Sequence, residues 1–125
     1  MRLIKGSSRP PREADPETFV LPAWTQALLG RDDGLPVRIY KVTFTEGTRM
    51  NWHHHDAEQI LFGLSGTCMV VDRDGQQLLL GPGDLVVVDP FEEHWHGAAP
   101  GADGAHLAIN LGSQTVWMEP TVAPF

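Results

Sequence analysis

Glycine and proline recur along the whole chain, thirteen and ten of them in 125 residues, and they punctuate rather than cluster. That spacing leaves runs too short for a helix bundle and suits many brief strands joined by turns. The runs themselves are β-branched and alternating. Strands are predicted over 37–45, 50–55, 59–64, 67–71, 76–80 and 85–88, followed by shorter ones over 94–96, 106–111 and 115–118. Asp74-Gly75 reads as a hairpin turn and Gly81-Pro82-Gly83-Asp84 as a tight one. Nine short strands at close spacing predict an all-β domain, an antiparallel sandwich or barrel. No internal repeat is visible.

At this length the chain is one domain, and 42% hydrophobic residues suffice for one core. Residues 37–119 are expected to form the barrel and 120–125 a C-terminal tail. Residues 1–36 are read as an N-terminal arm and lead-in: 1–20 are basic, proline-rich and extended, and 19–29 read as either a helical turn or a strand. Nine Lys and Arg against sixteen Asp and Glu give a net charge of −7, which weighs against nucleic acid or an anionic membrane as partner. No run reaches the roughly eighteen apolar residues of a membrane span. The basic start has no apolar run behind it, so a secretory signal is not expected and a cytoplasmic protein is. A single cysteine, Cys68, excludes an internal disulfide and reads as a small buried hydrophobe. Exposed sheet edges and the extended arm lead us to expect a homodimer or a higher even homo-oligomer.

All six histidines lie between 53 and 106 on predicted strands. Side chains alternate faces along a strand, so His53 and His55 share a face while His54 points away. His94 and His96 share a face in the same way, with Trp95 opposite. Imidazoles so placed on two strands can converge on one cation. Gln59, opening the next strand, fits as a fourth ligand, with Leu61 on its face. Glu58 is the better ligand chemically, but a one-residue shift turns it away if Gln59 points in. Tyr40, Val42 and Phe44 on one strand, Leu61 on the strand that Gln59 opens, and Ala108 and Asn110 beside His106 on another read as the lining of a substrate pocket. Trp52, Trp95 and Trp117 read as packing or subunit contacts.

Gly47, His53, His55, Gln59 and Gly66, at the spacing they hold here, resemble the first motif of the cupin family, with Gln where most cupins place Glu. Pro82-Gly83-Asp84 followed by Asp89-Pro90-Phe91-Glu92-Glu93-His94 resembles the second, with Phe91 where that motif usually has Gly. The resemblance spans roughly residues 37–119 and implies a single-domain cupin jelly-roll β-barrel. It also implies one divalent metal ion held by the equivalents of His53, His55, Gln59 and His94. The runs His94-Trp95-His96-Gly97-Ala98-Ala99-Pro100, His106-Leu107-Ala108-Ile109 and Trp117-Met118-Glu119 are similar to the bacterial manganese-dependent cupin hydroxynitrile lyases. They are similar as well to small cupins described as carboxymuconolactone-decarboxylase-like. The chain departs from those lyases at His54 and Asp56, where they usually have Thr and Pro, and at Tyr40, which replaces a smaller residue.

Three imidazoles and an amide are neutral donors, so a bound ion keeps its full charge and acts as a strong Lewis acid. The mixed N/O set suits Mn, Fe, Co, Ni or Zn, and the resemblance favours Mn. His96 and His106 are the candidate catalytic residues, able to take or give a proton near neutral pH. The expected function is that of a metal-dependent lyase acting on a small hydroxylated substrate. An oxygen-using metalloenzyme and a non-catalytic small-molecule-binding cupin are the alternatives.

Overall fold

Alternation of buried and exposed side chains runs through almost every strand, and it sets both the sheets and the site between them. The structure, a computed structural model, describes residues 1–122. Its strands in chain order are β1 (Arg12–Glu13), β2 (Phe19–Val20), β3 (Ala23–Leu29), β4 (Arg38–Phe44), β5 (Arg49–Met50), β6 (His53–His55) and β7 (Gln59–Gly66). They continue with β8 (Cys68–Asp72), β9 (Gln77–Leu80), β10 (Leu85–Val88), β11 (His94–Ala98), β12 (Gly104–Asn110) and β13 (Thr115–Trp117). Two 3-10 turns, Gly6–Ser8 and Arg31–Asp33, are the helical elements among the described residues. No helix there is long and apolar enough to cross a membrane.

Six strands make the first sheet, in the order β1-β3-β4-β12-β7-β10, with every pair antiparallel. In the second sheet β11 is central: β8 and then β9 lie on one side, and β5 and β6 lie along the other. β2 and β13 extend those last two strands. The stretch 50–55, expected as one strand, is two: β5 and β6 meet β11 at Gly97 and His94, and Asn51-Trp52 takes up the offset between them. Gly97 permits that approach, since a β-carbon there would stand 2.6 Å from the Arg49 Cβ. The open choice at 19–29 resolves as strand. Residues 1–36 lie along the chain's own sheets, with β1 on β3 and with Arg9 donating to Asp33 at 2.7 Å. The expected C-terminal tail, 120–125, lies outside the described residues beyond Val122.

The core fills the space between the sheets. Val42, Phe44, Leu61, Val88 and Ala108 of the first sheet meet Met50, Cys68, Val70, Leu80 and Ala98 of the second. Burial pushes the Cys68 thiol up to about 12, which leaves it an unreactive apolar group. The sheets face one another as two separate ladders in a jelly-roll sandwich. Trp95 packs outside the second sheet on Met69, Val71 and Ala99.

Candidate metal centre and its cavity

Period-two geometry aims the site. On β6, His53 and His55 are buried and His54 is only partly so; on β11, His94 and His96 are both buried. On the facing sheet the register places inward residues in rows across β4, β12 and β7. Arg38 lies beside Asn110 and Gln59, Tyr40 beside Ala108 and Leu61, and Val42 beside His106 and Gly63. Gln59 is 2% exposed, while Glu58 is exposed to solvent, as strand parity predicted.

Hydrogen bonds then fix which ring nitrogen faces inward. His53 Nδ1 donates to the Asn51 carbonyl at 2.8 Å, and His94 Nδ1 donates to the Glu92 carbonyl at 2.8 Å. His55 Nδ1 is hydrogen-bonded to Thr115 Oγ1 at 2.9 Å. With the Nδ1 protons so placed, neutral His53 and His94 carry lone pairs at Nε2, as metal-ligating imidazoles do. The buried Nε2 atoms of His53, His55 and His96 have no hydrogen-bond partner. The ligand atoms of His53, His94 and His96 lie within 4.8 Å of one another, so the group includes His96, expected as a catalytic residue, and not His55, expected as a ligand. Gln59 Nε2 donates to Asn110 Oδ1 at 2.8 Å, which turns Oε1 toward His94 Nε2 at 3.1 Å. Two acceptors face each other there, and a shared cation resolves that clash. The residues therefore fit a divalent ion: neutral donors, outer nitrogens anchored, inner lone pairs unused.

Burial keeps these rings neutral. It is the largest cause in each case, and with neighbouring histidines adding to it at His53 and His96 it holds those two well below the usual imidazole range. His94 and His106 are lowered to about 4 by burial, and His55 to about 4 by burial, His94 and, further down, the Arg38 charge.

His96 and His106 form a pair, Nδ1 to Nε2 at 2.8 Å. His96 reaches the cavity and His106 stands behind it, fully buried on β12. The cavity encloses about 390 Å³, a size for a small organic molecule. Of the six expected lining residues, Tyr40, Val42, Ala108 and Asn110 line it. Phe44 and Leu61 lie deeper, wholly buried in the core. Sequence reasoning missed Phe19, Arg38, Met50, Thr115 and Trp117, all of which line the cavity. Trp117, expected as a packing or subunit contact, sets its ring 4.6 Å from that of His53. Arg38 had a signal, since the alternation through 44, 42 and 40 runs back to 38.

Two facing antiparallel sheets with inward histidines on adjoining strands define the class, and the chain belongs to the cupin family. The cupin domain matches residues 40–112. Over 82 residues the chain is 43% identical to a Granulicella tundricola protein named (R)-mandelonitrile lyase. That match covers 62% of this chain and 62% of the relative, so it spans less than two thirds of the relative's length. Among solved structures, a cupin-like protein of Thermotoga maritima superposes with a TM-score of 0.80 at 29% identity, over 86% of this chain and 84% of that one. The polyketide cyclase RemF of Streptomyces resistomycificus shares the fold, with a TM-score of 0.74 at 19% identity over 87% and 78% of the two chains.

Proposed function

We propose that this chain is a metal-dependent lyase of the hydroxynitrile type, breaking the bond between a hydroxyl-bearing carbon and its nitrile carbon. One observation carries the reading: the unpartnered Nε2 atoms of His53, His55 and His96 belong to rings that line one cavity, with His106 hydrogen-bonded behind His96. The 43% identity to a protein named (R)-mandelonitrile lyase supports it.

His53, His55, Gln59 and His94 would hold the ion, manganese by the resemblance of the sequence. When bound, it supplies Lewis-acid polarisation of a hydroxyl or carbonyl oxygen. The chain's own residues do the rest. Tyr40, Val42 and Ala108 form an apolar wall that orients the organic part of the substrate. His96, neutral because it is buried, takes the hydroxyl proton at Nε2. Its Nδ1 proton is shared toward His106 Nε2, which spreads the charge over two rings. The electron pair of the O–H bond closes the carbonyl, and the carbon–carbon bond leaves with its pair on cyanide. His96 returns the proton to cyanide, so aldehyde and hydrogen cyanide depart and both imidazoles are as they began.

The test is aldehyde release from racemic mandelonitrile by protein stripped of metal and then reloaded with manganese. Reloading is expected to restore enantioselective release. His96→Ala is expected to keep its metal content and lose about 100-fold or more in turnover, the scale of general acid–base catalysis. Release no greater than that of the stripped control, with metal bound, would overturn the lyase reading. Oxygen uptake coupled to product would replace it with an oxygenase, and tight ligand binding without turnover with a binding protein.

A further inference from the structure

The charged side chains on the cavity wall are of one sign. Arg31 and Arg38 both line it, and no Asp or Glu does. Arg38 is only 7% exposed, yet it makes no ion pair among the described residues. The more exposed Arg9 and Arg73 are both matched with carboxylates. A chain with seven excess negative charges thus leaves its most buried arginine without a counter-charge.

Arg38 donates to the Ser113 carbonyl at 2.8 Å and to the Gly112 carbonyl. Those bonds leave at least two of the five guanidinium N–H groups for another partner, and two carbonyls do not cancel a full charge. The fork is also held in place. Asp56 accepts from Ser113 N at 2.9 Å, Ser113 Oγ at 2.9 Å and Gln114 N at 3.1 Å, which fixes the loop whose carbonyls hold Arg38. Arg38 shares its row with Asn110 and Gln59, two interstrand spacings or roughly 10 Å from the Gln59 backbone. Arg38 and His96 line the same cavity.

We propose that Arg38 is a specificity-determining residue that receives the carboxylate of a small hydroxy acid, with the hydroxyl of that acid on the His96 side. A planar, always-charged fork matches a carboxylate with two parallel hydrogen bonds, and a low-dielectric wall strengthens them. The orientation of the reacting end rests on the lyase reading; the contact at Arg38 does not.

Calorimetric titration of the metal-loaded protein with mandelate and with mandelamide, alike in shape and different in charge, tests it. Mandelate is expected to bind about 10-fold tighter or more, with the preference shrinking as salt is added. Arg38→Gln is expected to abolish the preference, weakening mandelate far more than mandelamide. Should that variant not fold, Arg38→Lys keeps the charge without the fork and is expected to weaken mandelate several-fold. Equal binding of both probes, no binding of mandelate, or a preference that survives Arg38→Gln overturns the proposal; in the last case the carboxylate sits on the metal. Arg38-dependent mandelate binding without aldehyde release from mandelonitrile would remove the lyase reading and keep this one. Aldehyde release with no role for Arg38 would do the reverse.

Discussion

Phe91 holds φ at 63°, in the left-handed region where a β-carbon is crowded. The turn between β10 and β11 keeps it there, and its N–H donates to the His55 carbonyl at 2.8 Å. Its side chain is 65% exposed, so little packing would go with it. Phe91→Gly is expected to stabilise the fold by about 0.5–1 kcal/mol, read as a rise of a few degrees in Tm by calorimetry. A lower Tm would mean that the ring contact with His54, at 5.9 Å, matters more than the strain. The sequence carried this signal, because Phe91 occupies a position where the resembling motif usually has Gly. Gln59 was legible for another reason: parity on a strand separates it from Glu58 without any knowledge of partners. Arg38 was not, although it obeys the same parity, because a lone arginine reads as solvated until burial is known. Trp117 was hidden differently, since its place beside His53 depends on the pairing of β13 with β6.

The strands were legible as elements because alternation and turn residues are local. Their partners were not, because pairing depends on register across long separations. The break between β5 and β6 illustrates this: each half is a plausible continuation of the other, and only their offset against β11 parts them. A second long-range tie joins the β6–β7 loop to the β12–β13 loop. There Asp56 lies against Gly112, where a β-carbon would come 2.1 Å from Asp56 Oδ1. Backbone donation from Gln114, then the Ser113 hydroxyl, holds the Asp56 carboxyl below its ordinary value. Asp56→Ala removes three acceptor contacts at once. It is expected to lower the urea midpoint of unfolding and to speed amide exchange at Ser113 and Gln114, as followed by NMR. Unchanged exchange at both amides would show that the loop holds itself.

Across the whole molecule, five buried histidines share one response to acid. Their unfolded value is near 6.5, whereas His55, His94 and His106 fall to about 4 and burial holds His53 and His96 well below the usual imidazole range. Below pH 6.5 the unfolded chain takes up protons that the folded chain refuses, so stability falls as pH falls toward 4. A bound ion leaves the sign unchanged, since a ligating imidazole must be neutral as well. Urea midpoints measured from pH 7 down to pH 5 are expected to drop steadily, and a flat profile would contradict the buried neutral state. The imidazoles of the candidate centre stand on β6 and β11 of one sheet, whereas Gln59 on β7 and His106 on β12 belong to the other, beside the cavity wall of β4 and β12. Of that wall, β4 alone is separate in sequence from the candidate ligands and from the His96–His106 pair. Changes at Tyr40 or Val42 are therefore expected to retune which molecules the cavity admits while the candidate ligands on β6, β7 and β11 stay in place. One strand can thus vary in what it admits without touching any group proposed to react.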